Sequence, residues 1–227
     1  MTGIASFHLV RERRGARALA RLATDRRRLR RVPGLAFWRL LGTGRGSNTA
    51  TSVDVRRTAL FAVWERERDL EVFLRESAIA DRWTRAEEAW HVRLRAVGGH
   101  GTWHGFDVLP ALQAGSDAGP IAVITRASVR WRAWRSFTRS SPTVNAELQR
   151  ATGLLGALGM GEAPVGRLGT FSLWRGVDDV GAFARSPDHA DVMRRTRAEA
   201  WYSEELFARF EPYGSAGTWD GVDPLRP

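Results

Sequence analysis

Gly101-Thr102-Trp103-His104-Gly105-Phe106-Asp107 returns 116 residues later as Gly217-Thr218-Trp219-Asp220-Gly221-Val222-Asp223. Working outward, Leu60-Phe61-Ala62-Val63-Trp64 resembles Thr170-Phe171-Ser172-Leu173-Trp174, and both lead into a segment with a matched phenylalanine, Phe73 and Phe183. Ala89-Trp90 pairs with Ala200-Trp201, and Leu41-Gly42-Thr43-Gly44 with Leu158-Gly159-Met160-Gly161. The matches keep their order and their spacing drifts by only a few residues, which chance similarity does not do. The chain is an internal duplication.

Residues 4–10, 35–42, 58–64 and 92–97 read as strands. Residues 15–30 and 69–90 have helical spacing, the second with a break near Ser77. The second half repeats this order. Residues 121–129, 154–158 and 167–174 are expected strands. Residues 131–149 are helical with a break around Pro142, residues 177–210 are helical, and the tail carries the last strand. Each half is therefore β-α-β-β-α-β, a ferredoxin-like unit. The fold class is α+β, with tandem units at 1–112 and 120–227 joined by the Gly/Ser/Asp-rich stretch 113–120. Each sheet has one uncovered apolar face, so the two are expected to close on each other in the manner of a dimeric α/β barrel.

Composition narrows the chemistry. Hydrophobic residues make up 43% of the chain and aromatics 10%, as in folded globular proteins. The absence of cysteine excludes disulfides, thiolate metal sites and cysteine nucleophiles. No apolar run reaches the ~18–20 residues that span a bilayer, and the first basic residues follow the amino-terminal apolar stretch, an order that is wrong for a secretory signal. The expectation is a cytoplasmic protein. The net charge is +10, carried entirely by arginine, and is densest at Arg26, Arg27, Arg28, Arg30 and Arg31. No zinc-finger, helix-turn-helix or RNA-binding motif accompanies it, so no specific nucleic-acid partner is expected.

Differences between the copies point to a site. Under the 110-residue shift His189 stands opposite Ile79. It is the third residue of a helix opened by Ser186 and Pro187. A helix amino terminus favours neutral imidazole, the form that binds iron or zinc; capping or packing of the helix start explains a histidine there equally. Pairing Ile4-Ala5 with Ile121-Ala122 sets Thr125 opposite His8 and Arg126 opposite Leu9. An arginine inside an apolar strand needs an anion or a wet cavity, unless it points to solvent from a sheet edge. Both asymmetries fall in one half, which suggests a single site.

Other candidates are weaker. His100 and His104 with Asp107 form a metal set only if the Gly-rich segment turns tightly, because residues four apart on a strand lie ~13 Å apart. Gly42-Thr43-Gly44-Arg45-Gly46 lacks the features of a phosphate loop and reads as a turn between strands. No nucleophile elbow appears.

The second half also carries a family likeness. Residues 121–127, Gly161-Glu162-Ala163-Pro164, residues 170–174, residues 189–201, Glu204-Glu205-Leu206-Phe207-Ala208-Arg209-Phe210 and the closing signature together resemble the spheroidene monooxygenase family. The resemblance implies a haem-dependent oxygenase of carotenoid 2-ketolase type, with haem b as cofactor and His189 as iron ligand. It further implies Arg126, with Thr125, as polar groups near the opposite haem face or a haem carboxylate. Trp174, Phe171, Met193 and Trp201 are candidate pocket walls or plain core. The expected partners are an apolar small-molecule substrate, dioxygen or a peroxide, an electron donor, and a second copy in a homo-oligomer. A haem-dependent dehydratase or lyase and a non-catalytic haem-binding protein are the alternatives.

Overall fold

Ala5, Phe7 and Leu9 alternate with Ile4, Ser6, His8 and Val10, and both sets are buried. Such a strand is covered on two sides, by a barrel interior and by a helical layer. The computed structural model describes residues 3–44, 53–162 and 166–226. The first half runs β1 (Ile4–Arg11), α1 (Gly15–Leu29), β2 (Leu35–Thr43), β3 (Asp54–Trp64), α2 (Glu67–Glu76), α3 (Ala78–Trp83) and β4 (Glu88–Gly101). The second half repeats the order as β5 (Ile121–Val129), α4 (Trp134–Gln149), β6 (Leu154–Glu162), β7 (Arg167–Trp174), α5 (Val177–Ala184), α6 (Pro187–Ala198) and β8 (Tyr202–Gly217).

The eight strands close into one antiparallel barrel, β1-β3-β2-β6-β7-β5-β8-β4. Each half supplies four neighbouring strands in the same relative order, β4-β1-β3-β2 and β8-β5-β7-β6. One seam between the halves is long, from Trp90↔Gly217 to Gly101↔Leu206. The other is only Gly42↔Gly161 and Thr43↔Met160, with Gly44 N–H donating to Gly159 O at 2.9 Å. The expected turn at Gly42–Gly44 is thus the edge of this short seam. Arg45 and Gly46 lie outside the described residues, as do Ala163 and Pro164.

Three expectations are corrected. Residues 202–210 are strand, not helix: Leu206, Ala208 and Phe210 enter the barrel core with period two, and pairing with β4 and β5 on both sides overrides the helical look of Glu-Glu-Leu-Phe. Residues 88–90 are likewise strand, with Trp90, Val92 and Leu94 facing inward. Helix α4 continues through Pro142, since one lost N–H does not stop a helix of 16 residues.

The signature repeat is a pair of reciprocal latches. Thr102 Oγ1 and Gly105 N–H donate to the Glu204 carboxylate at 2.9 and 2.8 Å, binding the end of the first half to β8. Thr218 Oγ1 and Gly221 N–H donate to Glu88 on β4 at 3.2 and 2.7 Å. Gly101 and Gly217 have φ of 90° and 83°, and a Cβ there would strike the carbonyl oxygens of Glu205 and Ala89. Only glycine allows that approach.

The barrel interior is filled. Phe7 and Phe171 stack at 3.9 Å, and Trp103 stacks on Phe61 at 5.5 Å. Trp219 lies against Trp90 and Phe171 at 5.7 and 6.2 Å. This is packed core. Function is left to the ends and the outer face.

Candidate functional site

Strand pairing sets two equivalent rows across the outer face of the sheet. In the first half the row is His91–His8–Leu60–Leu40; in the second it is Phe207–Thr125–Thr170–Gly159. The first row is filled and covered. His8 Nδ1 lies 3.0 Å from His91 Nδ1, His8 Nε2 lies 2.8 Å from Ser6 Oγ, and Trp83 stacks on both imidazoles. Burial, helped by His91 and Arg93, pushes His8 well below its ordinary pKa, and burial pushes His91 down to about 4. Among the described residues a small void of about 30 Å³ lies beneath α1 and α3, lined by His8, Leu40, Leu60 and Trp83.

The second row is different. Thr125 sits on a central strand, between β7 and β8, yet it is exposed. The apolar cover formed with α4 and α5 packs on Ile121, Val123 and Trp174, through Leu148, Val180 and Phe183, and stops short of Thr125. Two threonines and a glycine take the places held in the first half by a histidine and two leucines. The result is a small-residue stretch of sheet flanked by Phe207, exposed at Thr125, half-buried at Thr170 and buried at Gly159.

His189 stands where the three helices of this half meet. Its backbone N–H donates to Glu147 Oε2 of α4 at 2.9 Å, the capping role that Ser186 leaves open by donating its own hydroxyl to Phe183 O. Its Nδ1 is 3.2 Å from Ala184 O, so Nδ1 carries the proton and Nε2 is the basic nitrogen. The ring lies 4.8 Å from Phe183, which lies 5.5 Å from Trp174 on the sheet. Met193 is one turn further along the same helix face and half-buried. Counted from the helix caps Ser77 and Ser186, the residue opposite His189 is Ala80, one later than the sequence alignment gave. Helix α6 is also twice as long as α3, 12 residues against 6, which explains the drift in repeat spacing.

The other residues do not join this group. Arg126 points into the barrel mouth, buried, and pairs with Glu204, while its Nε is 4.0 Å from Glu162. It is on the opposite sheet face from Thr125, so the two are not one site. Burial raises Glu162, but hydrogen bonds from His104 (2.6 Å) and Trp103 and the charge of Arg126 hold it below the ordinary carboxylate range. Glu204 is held low against burial by Gly105, Thr102 and Arg126. Arg126 Nε and Nη2 lack a hydrogen-bond partner among the described residues. The cluster closes one end of the barrel. Phe171 lies wholly inside the barrel, and Trp201 lies beyond the carboxyl end of α6, whereas His189 is in its first turn. His100 stacks on Phe207 while His104 bonds Glu162, so they do not converge on a metal.

Sequence reasoning missed Glu147, Phe183, Phe207, Thr170 and Gly159. The signal was available in the pairing of His8 with Thr125; its extension to neighbouring strands required the register.

The strand order and the register define an α/β barrel protein whose second half leaves Thr125 exposed on the outer sheet face and carries a cavity of about 430 Å³ among its helices, lined by Glu147, Phe183, Ser186 and Asp188. No protein-family model matches the chain. It is 31% identical over 211 residues to the spheroidene monooxygenase of Rhodobacter capsulatus, covering 91% of this chain and 88% of that protein. It is 34% identical to the one from Rubrivivax gelatinosus, covering 83% and 73%. With the Cereibacter sphaeroides protein it shares 32% identity over 91% of its own length, and spans 65% of that relative. The chain belongs to the spheroidene monooxygenase family. Among solved structures it is similar to an aldoxime dehydratase, with a TM-score of 0.61 and 11% identity, covering 92% of this chain and 81% of that one. An aldoxime dehydratase in complex with butyraldoxime gives 0.57 and 13%, covering 93% and 79%. At such identities the likeness concerns the fold alone.

Proposed function

We propose that this protein is a haem-dependent monooxygenase acting on a long apolar substrate of carotenoid type, with the haem held between the outer sheet face of the second half and its helices. The reading of 1–112 and 120–227 as two ferredoxin-like units belongs to this proposal, because it makes the second unit the site-bearing copy. The observation that supports the cofactor is the small-residue row Thr125–Thr170–Gly159, open to solvent at Thr125, in the same half as a helix histidine whose Nδ1–H is held by Ala184 O. The family relationship supports the oxygenase reading.

The residues fit a haem. His189 would hold the iron through Nε2, its ring oriented by the Nδ1–H bond to Ala184 O. Glu147, by capping α6, fixes the backbone from which that ring projects. Phe183, Trp174, Met193 and Phe207 supply apolar wall that excludes water, and Thr125 and Thr170 offer hydroxyls on the sheet side. Haem, when bound, supplies the iron that activates dioxygen or a peroxide for oxygen insertion into a C–H bond. An electron donor, and a cytoplasmic location that gives access to it, complete the reading. Arg126 acts in this scheme by closing the barrel end, not on the substrate.

Absorption after haem reconstitution tests this. Wild type gains a Soret band that His189→Ala lacks, while circular dichroism of the two is the same. Equal binding by both proteins overturns the assignment of His189. Incorporation of labelled dioxygen into the product separates oxygenation from dehydration.

A further inference from the structure

The chain turns from β5 into α4 through a single 3₁₀ turn, Trp131–Ala133, and at its start stands Trp131, 86% exposed. It is the most exposed of the large hydrophobics among the described residues. A free tryptophan on a helix start loses the burial that dominates this side chain's energetics, and it does not stand alone. Trp134 and Phe137 stack at 6.0 Å, and Phe137 meets Tyr202 edge-on at 6.4 Å, so a strip of half-buried aromatics continues from Trp131 along α4.

Arginines flank that strip. Arg130, Arg132, Arg135 and Arg139 are all exposed, and no carboxylate pairs with them among the described residues. From Ala118 to Ala146 the chain has five arginines and no carboxylate. Arg130 Nε donates to Tyr202 O at 3.1 Å, which fixes the turn against β8. The nearby Glu199 is already engaged by Trp201 Nε1 at 2.7 Å and Arg195 at 3.6 Å, so it does not neutralise the group. Tryptophan among guanidinium groups matches the boundary of a bilayer, where the indole enters the headgroup layer and arginines meet anionic phosphates. The turn is a protruding helix start, and a protein of net charge +10 is drawn to such a surface from a distance. Among the described residues no helix is long and apolar enough to cross a membrane, so the contact is peripheral.

We propose that Trp131 and the arginines around it form a docking surface for an anionic lipid bilayer. The surface begins six residues after Thr125, at the end of the same strand, so docking brings the open row towards the membrane. That connection to an apolar, membrane-dissolved substrate rests on the reading above; the docking itself does not.

The test is co-sedimentation of the full chain with vesicles of phosphatidylcholine alone or with about one third phosphatidylglycerol. Wild type binds the anionic vesicles, and binding weakens as salt rises. Trp131→Ala lowers partitioning about tenfold. Arg132→Gln with Arg135→Gln lowers it about 25-fold, near fivefold for each charge. Both proteins keep the wild-type melting temperature and haem absorption, which separates failure of docking from failure of the haem reading. Arg26→Gln with Arg27→Gln and Arg28→Gln, on α1, removes more charge and leaves most binding in place. The proposal is overturned if wild type ignores anionic vesicles, or if the α1 variant loses binding while Trp131→Ala keeps it. It is also overturned if Trp131→Ala changes only the oligomeric state or only the affinity for nucleic acid.

Discussion

The two halves of this barrel share a strand order, a latch and a ring of helices, yet they use the outer sheet face differently. In the first half His8 and His91 fill one row of the sheet and Trp83 seals it. In the second, the same row presents Thr125, Thr170 and Gly159, and its central residue is open to solvent. On the proposed reading one copy serves as scaffold while the other receives the ligand, and the two differ in side-chain volume along this row.

That comparison is breakable by making the second half resemble the first. Thr125→Trp fills the open row. Haem uptake, followed by titration at the Soret band, should fall at least a hundredfold, with the melting temperature unchanged because Thr125 packs against little. Retention of haem by this variant would falsify the slot. Arg126→Leu installs the residue of the first half inside the barrel mouth. It leaves Glu204 and Glu162 without their buried cation and should destabilise by about 3–5 kcal/mol in urea unfolding, while haem affinity stays close to wild type. A large change in haem affinity at unaltered stability would put Arg126 back in the site.

The first half should carry a pH signature of its own. His8 and His91 are neutral when folded and have depressed pKa values, whereas the unfolded chain protonates them near 6.5. Above that pH they contribute no pH dependence. As pH falls from about 6.5 towards 4 the unfolded state binds the extra protons, so stability declines, by roughly 3 kcal/mol for His91 alone. Replacing both with phenylalanine should flatten this part of the stability–pH curve. If the slope is unchanged, the pair does not cause it.

Much of this was legible before any coordinates. The repeated Gly-Thr-Trp motif exposed the duplication, and period-two runs such as residues 4–10 marked the strands. His189 stood out because its copy lacks an imidazole. Residues 202–210 misled because Glu, Leu, Ala and Arg are good helix formers, and only pairing on both edges makes them strand. Trp201 was aligned with Trp90 by identity, although Glu204 and Glu88 show that the longer α6 shifts the register.

Local sequence carries periodicity, caps and the glycines that permit close approach, so elements and their order follow from it. It does not carry which face of a strand meets which neighbour, because that depends on closure of the barrel. Thr125 and Arg126 are adjacent in the chain and look like one candidate. The tertiary structure sends one to the outer face and buries the other in the barrel mouth, since successive strand residues point to opposite sides and a closed sheet makes those sides different places.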